Sequence, residues 1–225
     1  MLRTHSATSP SRSENRLLDD EPVPLRPYYH LFKRACEIGL SLVGIVALAP
    51  AGVVLALAVK LSSPGPAFYR QERVGRDGRC FLMYKFRTLL HNAESETGAV
   101  LTSYEDRRVT PLGRFLRACH IDEIPQMYNV LRGEMSFVGP RPERPCFVEA
   151  YSRYIGPYPR RHAVRPGLTG LAQINAGYLT HAYVKLHYDL DYVQQESFWL
   201  DLQILWRTPG AILKNLKRLT ARVSR

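Results

Sequence analysis

Cysteine is scarce in this chain of 225 residues, and the scarcity limits which covalent or metal framework could hold the fold together. The four cysteines are Cys36, Cys80, Cys119 and Cys146, and no two of them form a Cys-x-x-Cys pair. This distribution argues against a disulfide framework and favours reduced thiols in a cytosolic setting. Cys119, His120 and Cys146 do not have the spacing of a common zinc site, so no zinc is expected.

Three further signals are missing. Residues 1–27 have no apolar core, which excludes a secretory signal peptide, and their Ser, Arg, Pro and acidic residues predict a disordered tail. The sequence shows no Rossmann pattern, so a doubly wound sheet is not expected. It also has no recognised nucleic-acid motif with interleaved aromatic residues.

Basic residues are in excess. The chain has 31 Lys and Arg against 20 Asp and Glu, which gives a formal net charge of +11. Such a balance indicates an anionic partner, which could be nucleic acid, a phospholipid surface or a phosphorylated substrate. The length is sufficient for one sizeable core.

Charge is absent from one long stretch. Ile38–Val59 contains no charged residue, and as a straight helix its roughly 22 residues would extend about 33 Å, enough to cross a bilayer. Pro50 lies near its middle and would bend a helix. Lys33, Arg34 and Lys60 flank it, and positive charge on both sides favours two cytoplasmic ends. These features predict a re-entrant helix hairpin; a single span and a buried pair of core helices remain as alternatives.

Two short strands are predicted after this stretch. Ala67–Val74 and Arg79–Phe86 alternate around Gly75–Gly78, which is a hairpin signal. Alternation places Lys85 and Arg87 on one face of the second strand, where two cations could grip a diphosphate. The alternative is an ordinary solvated strand face.

The densest cluster of reactive residue types lies between residues 117 and 143. Asp122 and Glu123 precede Pro125, which suits the first turn of a helix. The helix dipole there should keep Asp122 ionised and able to act as a nucleophile. Gly139–Pro142 is a stiff turn that presents Arg141, whose guanidinium can grip phosphate in a forked contact. The pattern predicts a phosphoryl-transfer site, and an exposed helix start with ordinary surface charges is the alternative.

The C-terminal third contains a glycine-rich loop and helices. Arg165–Gln173 could cradle oxygen atoms with its backbone N–H groups, and Lys185–Val193 predicts a helix that contains Asp189. Residues 211–225 place apolar and basic side chains on opposite helix faces, and Trp199 and Trp206 precede them. This pattern predicts an amphipathic helix on anionic lipid, with a basic helix packed on the core as the alternative.

Several of these segments resemble a known family. The runs Asp-Glu-Ile-Pro-Gln and Asn-Val-Leu-Arg-Gly-Glu-Met-Ser-Phe-Val-Gly-Pro-Arg-Pro-Glu look like the core of the bacterial sugar transferases. Tyr-Lys-Phe-Arg-Thr and Arg-Pro-Gly-Leu-Thr-Gly are similar to further motifs of that family, and the resemblance extends from about Lys33 to Thr208. These proteins are monotopic polyprenyl-phosphate phosphoglycosyl transferases that initiate exopolysaccharide and glycan assembly.

The resemblance implies a reaction and a set of roles. A sugar-1-phosphate would pass from a UDP-sugar to polyprenyl (undecaprenyl) phosphate, with release of UMP. Asp122 would be the covalent nucleophile, and Glu123 would be catalytic as the ligand of Mg²⁺. The expected substrate-binding residues are Arg117, Arg141, Lys85, Arg87, Gln126 and Asp189.

The predicted organisation is an α+β fold that is mainly helical. We expect a disordered tail at 1–27, the re-entrant hairpin at 28–61, the catalytic domain at 62–210 and a basic amphipathic helix at 211–225. Membrane lipids are expected partners, nucleic acid is not, and a homodimer is left open. The expected location is the cytoplasmic face of the bacterial inner membrane. The alternative function is a membrane-associated binder of anionic lipid or nucleic acid, and a metal-dependent phosphohydrolase is a third reading.

Overall fold

The structure, a computed structural model, describes residues 22–93, 98, 106–176 and 180–223, with side chains described as far as residue 214 and at residue 216. The described helices are α1 (Pro27–Ser62), α2 (Pro111–Ala118), α3 (Gln126–Arg132), α4 (Pro145–Tyr154), α5 (Leu171–Asn175), α6 (Ala182–Gln195) and α7 (Phe198–Val223). The described strands are β1 (Phe68–Val74), β2 (Cys80–Phe86), β3 (Ser136–Val138) and β4 (Gly167–Thr169). This composition confirms a mainly helical fold with short strands.

Some expectations lie outside the described residues. They are the disordered state of residues 1–21 and the basic and apolar faces of residue 215 and residues 217–225.

Helix α1 forms where the uncharged stretch predicts apolar helix. It has 36 residues, begins with Pro27 and reaches a mean hydropathy of 2.6 over an 18-residue window, so it is long and apolar enough to cross a membrane. The helix continues through Pro50, whereas two helices joined by a break were expected. An apolar setting explains the continuity, because a break would leave several backbone groups without partners whereas proline removes one N–H.

One side of α1 packs against the rest of the chain. Val59 is fully buried with Phe86 and Leu116, and a Cβ on Gly44 would lie 2.7 Å from the Cε atom of Met127 in α3. Apolar side chains on the remaining surface of α1 are exposed, among them Leu42, Val43, Val46, Val53 and Leu57. One side of α1 is therefore packed and the other exposed, although its stretch without charged residues, Ile38–Val59, is apolar on most sides.

The predicted β-hairpin is confirmed. β1 and β2 pair in antiparallel register, from Phe68 opposite Phe86 to Val74 opposite Cys80. The turn between them is a short 3₁₀ helix, Arg76–Gly78, in which Asp77 takes the left-handed conformation with φ of 56°.

A second pairing was not predicted. β3 and β4 are three residues each and pair in parallel, with Ser136 opposite Gly167. Gly167 approaches Gly139 so closely that a Cβ on Gly167 would lie 2.1 Å from the backbone nitrogen of Gly139. The pairing brings the glycine-rich loop against the Gly-Pro-Arg-Pro turn, although the two are far apart in sequence.

One helix was not predicted, and one boundary differs from expectation. Helix α4 begins at Pro145, because proline suits the first position of a helix. The boundary expected between residues 210 and 211 falls inside α7, which runs through Pro209 without interruption. The C-terminal helix therefore begins at Phe198 and is continuous with the catalytic part.

Candidate active site

The two adjacent carboxylates lie in a tight turn between α2 and α3. His120 takes the left-handed conformation with φ of 55°, and Ile121–Glu123 then form one turn of 3₁₀ helix. Helix α3 starts directly after Pro125, which confirms the predicted helix start to within one residue. Asp122 is 5% exposed and Glu123 8% exposed, so the turn holds both acids in a mostly buried position.

Glu123 is fixed by a forked ion pair. Arg141 donates from Nη2 to Oε1 and from Nη1 to Oε2, the second contact at 3.3 Å. His120 adds its Nδ1 atom at 3.7 Å from Oε2. Burial opposes ionisation of this carboxyl, but the charges of Arg141 and His120 outweigh it and hold the pKa of Glu123 well below its usual range.

The surroundings of the Asp122 carboxylate differ from those of Glu123. No residue in the described part of the chain donates a hydrogen bond to its carboxylate. Burial, and then the negative charge of Glu123, raise the pKa of Asp122, while Lys85 and His120 act in the opposite direction. The helix start was expected to favour ionisation of this group, and burial acts on its pKa in the opposite direction. A carboxylate that is desolvated and has no donor is a stronger nucleophile than a hydrated one.

The turn faces a large cavity. Its volume is about 1010 Å³, and the wall includes Asp122 and Glu123 together with more cations than carboxylates. Cationic residues of the wall include Arg73, Lys85, Arg114, Arg117, Arg141 and Lys185. The cavity therefore suits an anionic substrate that is larger than a single phosphate.

Lys85 reaches this cavity from β2. Burial, and then the charge of Arg73, lower its pKa to about 8, while Asp122 and Glu123 favour its protonated form. Its ammonium lies 5.6 Å from the centre of the Tyr69 ring. Lys85 should therefore lose its positive charge within the pH range in which an enzyme can be assayed.

Arg87, expected beside Lys85 as a substrate contact, is directed at α1. Its Nη2 atom donates to the carbonyl oxygens of Val59 at 3.2 Å and of Ser63 at 2.7 Å, and to Oγ of Ser63 at 2.9 Å. Arg87 is 5% exposed and also borders the cavity. Its hydrogen bonds satisfy carbonyls at the C-terminal end of α1, which have no partner inside the helix.

The remaining predicted site residues divide into three groups. Arg117 lies in the last turn of α2 and borders the cavity together with Arg114. Gln126 is 1% exposed and does not belong to the cavity wall. Asp189 borders the cavity, and its Oδ2 atom accepts hydrogen bonds from Nε and Nη2 of Arg161 at 2.9 and 2.7 Å.

Arg161 was missed by the sequence reasoning. It follows Arg160 and precedes His162 in a basic run, and nothing in that pattern distinguishes a buried guanidinium from an exposed one. Only the fold shows that Arg161 is 4% exposed and borders the cavity.

A second buried charge cluster was also missed. The ammonium of Lys33 lies 2.9 Å from Oδ2 of Asp201 and donates to the hydroxyl of Tyr192 at 2.7 Å and to the carbonyl of Val138 at 2.9 Å. We call Lys33, Tyr192 and Asp201 the helix anchor, because they join α1 to α6 and α7.

A divalent cation fits the dyad if substrate completes its coordination. Among the described residues, no group of three or more His, Cys, Asp and Glu side chains could hold a metal alone. Magnesium does not need such a cage, since it is usually held by one or two carboxylates with phosphate oxygens and water. Glu123, with Asp122 beside it on the cavity wall, supplies this kind of donor set.

A fixed carboxylate next to one without a donor, in a cavity with mainly cationic walls, is an arrangement suited to anionic substrates, and the chain also has a helix apolar enough to cross a membrane. The comparison with known families agrees. Residues 28–215 match the model of the bacterial sugar transferases, and the chain belongs to this family.

Curated relatives cover most of this chain. It is 41% identical over 190 residues to UDP-N-acetylgalactosamine-undecaprenyl-phosphate N-acetylgalactosaminephosphotransferase of Aeromonas hydrophila, covering 83% of this chain and 45% of that protein. It is 39% identical over 207 residues to UDP-glucose:undecaprenyl-phosphate glucose-1-phosphate transferase of Escherichia coli, covering 86% and 44%. The enzyme of the same name from Caulobacter vibrioides is 42% identical over 197 residues, covering 85% and 73%. The chain spans less than half the length of the first two relatives.

Proposed function

We propose that this protein transfers a sugar-1-phosphate from a UDP-sugar to polyprenyl phosphate, giving a polyprenyl diphosphate sugar and UMP. The observation that carries the proposal is the contrast within the dyad: Arg141 fixes Glu123, whereas no described residue donates to Asp122. The names of the relatives, which pair a UDP-sugar with undecaprenyl phosphate, support the same pair of substrates.

In the first step, an oxygen of Asp122 attacks the β-phosphorus of the UDP-sugar. The bond from that phosphorus to the bridging oxygen breaks, UMP leaves, and a sugar-phosphoryl aspartate remains. Lys85 and Arg117 border the same cavity as the dyad and would hold the diphosphate oxygens, as would any N–H of Arg141 that its forked contact with Glu123 leaves available. Fixed positive charge makes attack by one anion on another feasible, because it offsets their repulsion.

In the second step, a phosphate oxygen of polyprenyl phosphate attacks the same phosphorus. The bond between phosphorus and Asp122 breaks, which restores the carboxylate and releases the polyprenyl diphosphate sugar. Both steps exchange one P–O bond for another, so no oxidant or net proton source is needed. The first monosaccharide unit of an exopolysaccharide or glycoconjugate would thereby become attached to its lipid.

Mg²⁺ is the cofactor that the donor set fits, with Glu123 as its protein ligand. When bound with substrate it would neutralise part of the diphosphate charge. Arg141 keeps Glu123 ionised and oriented, which a metal ligand requires.

The contacts of α1 favour a re-entrant placement in the membrane. Near its N-terminal end, Arg34 donates to the carbonyls of Val130 and Leu131, while at the other end Val59 packs on Phe86 and Leu116. Along a helix, Arg34 and Val59 are about 38 Å apart. Two ends that contact the same domain cannot lie on opposite sides of a bilayer, so we propose that α1 enters and leaves on the cytoplasmic face. This path requires the helix to bend in the membrane without breaking, and Pro50, which lacks a backbone N–H, is the position suited to such a bend.

Helix α7 would lie in the same membrane surface. Trp199 is 71% exposed and Trp206 86% exposed, and Phe198 contacts Phe32 of α1 with ring centres 5.7 Å apart. The exposed aromatic residues of α7 are therefore continuous with the apolar surface of α1. Tryptophan favours the level of the lipid headgroups, which is where an interfacial helix would place it.

The experiment that tests the function uses purified protein in nanodiscs with UDP-glucose, UDP-galactose and their N-acetyl forms. We expect UMP release and a polyprenyl diphosphate sugar with one preferred donor, and loss of both when Mg²⁺ is chelated. Release of sugar-1-phosphate into water would indicate a phosphohydrolase instead. If no donor yields UMP with or without polyprenyl phosphate, the transferase proposal is wrong and an anionic-lipid binder is favoured.

A further inference from the structure

The guanidinium of Arg161 joins two parts of the site that are distant in sequence. Two of its nitrogens donate to Asp189 in α6, and Nη2 also donates to the backbone carbonyl oxygen of Arg141 at 2.8 Å. Arg141 in turn places its own guanidinium on Glu123. A continuous chain of contacts therefore runs from Asp189 through Arg161 and Arg141 to the dyad.

Neighbouring side chains bury Arg161 in this arrangement. Its Nη1 atom donates to the hydroxyl of Tyr158 at 3.3 Å, and the guanidinium lies 5.2 Å from the centre of the Tyr158 ring. Side chains of Arg161 and Asp189 are only 5% and 3% exposed. Burying such a pair adds little net stability compared with apolar residues, so its value lies in the orientation that it imposes.

Other contacts of the Arg141 turn involve different backbone atoms. The backbone nitrogen of Gly139 donates to Thr169 at 2.9 Å, and that of Gly167 donates to the carbonyl of Pro140 at 2.9 Å. Arg73 donates to the carbonyl of Pro142 at 2.9 Å. The residues on both sides of Arg141 are thus held by separate partners, and Arg161 fixes Arg141 itself.

We infer that Arg161, oriented by Asp189, is a positioning residue for the transfer reaction. It holds the backbone of Arg141 so that the guanidinium stays forked on Glu123, which keeps Glu123 in place and away from Asp122. The expected effect of Arg161 on the transfer rate rests on the proposed function, whereas its expected effect on the backbone of the Arg141 turn does not. Asp189 thereby acts on the site through the guanidinium of Arg161.

The kinetic test is a double-mutant cycle with Arg161→Lys and Arg141→Lys, since lysine keeps the charge but cannot make the forked contacts. We expect Arg161→Lys to lower kcat about tenfold or more while KM for the UDP-sugar changes less than about threefold. In the double variant, the loss should be close to that of Arg141→Lys alone, because both changes break one chain of contacts. Multiplicative losses, or an effect confined to KM, would show that Arg161 acts independently of Arg141.

Hydrogen exchange provides a second readout that needs no turnover. Peptides that cover residues 139–144 should exchange faster in Arg161→Lys and in Asp189→Asn than in the unchanged protein. Arg153→Lys is the matched control, because Arg153 is exposed and pairs with Glu149 on the same helix, and it should change neither kcat nor exchange. Unchanged exchange in both variants would overturn the inference. If the unchanged protein transfers no sugar but the exchange result holds, the positioning role stands and the proposed reaction falls.

Discussion

The dyad site and the helix anchor both place charged groups out of water, yet they satisfy those groups in opposite ways. In the helix anchor, Asp201 accepts from the hydroxyls of Tyr29 at 2.8 Å and Tyr192 at 2.7 Å and pairs with Lys33 at 2.9 Å. In the dyad, Asp122 receives no hydrogen bond from any described residue. One carboxylate is surrounded by donors and the other is left open to a cavity.

The difference shows how a buried charge can serve structure or chemistry. A fully hydrogen-bonded network fixes one arrangement, because any change leaves a buried group unpaired. A carboxylate without hydrogen-bond donors is less stable as an anion and therefore more reactive. It can attack the electrophilic phosphorus of a bound substrate. Removing a charge should therefore reduce stability in the helix anchor and activity in the dyad.

The largest expected effect is that of Asp122→Asn on turnover. The amide cannot act as the nucleophile, so we expect kcat to fall by at least about 10³-fold, or about 4 kcal/mol in the barrier. The melting temperature should not fall, because the change removes a buried carboxylate that has no donor. A variant that kept more than about a tenth of the rate, a loss below about 1.4 kcal/mol, would exclude Asp122 as the nucleophile.

Local patterns predicted much of this arrangement. The hairpin ends were predicted to within one residue because alternation and a glycine-rich turn are local signals. The start of α3 followed from Pro125, because proline suits the first turn of a helix. These features depend on neighbours in sequence, which a single chain displays directly.

Features that depend on long-range pairing could not be predicted. The partners of Arg87 at the end of α1 are 24 and 28 residues away, and the contact from Arg161 to Asp189 also joins residues 28 apart. The alternation of the second strand predicted that Arg87 and Lys85 lie on one face, but it does not predict which oxygen atoms each cation contacts. The raised pKa of Asp122 likewise depends on burial, which the fold determines.

The next largest effect should come from the helix anchor. Lys33→Met leaves Asp201 buried without its cation, and we expect a loss of about 3 kcal/mol in the free energy of unfolding. Denaturant unfolding in detergent measures it. Arg153→Ala is the control, since the exposed Arg153–Glu149 pair should contribute less than about 0.5 kcal/mol. Equal losses in the two variants would mean that the anchor is no stronger than a surface ion pair.

A smaller contrast should separate two cations on the same strand. Arg87→Met removes hydrogen bonds to the end of α1 and should lower stability by about 1–3 kcal/mol. Lys85→Met removes a partly buried cation from the cavity wall and should lower kcat with little loss of stability. If Arg87→Met impaired only turnover, Arg87 would have the same role as Lys85 and the predicted contrast would be wrong.

The smallest effect is a shift in pH dependence. Lys85 has a pKa of about 8, below its ordinary value, so its positive charge is present at lower pH and is lost as the pH rises through about 8. Activity should therefore decline on the alkaline side near that pH. Lys85→Arg should move the decline upward, because a guanidinium stays protonated. An alkaline limb that is identical in Lys85→Arg would assign it to another group.

The central claim, covalent transfer through Asp122, is tested most directly by intact-mass measurement of the protein incubated with its UDP-sugar and Mg²⁺ but no lipid acceptor. We predict a mass increase equal to one sugar phosphate, a stoichiometric burst of UMP, and a modified peptide that maps to Asp122. The adduct should disappear when polyprenyl phosphate is added and should not form in Asp122→Asn. Lipid-dependent release of UMP with no adduct, or an adduct on another residue, would contradict the account.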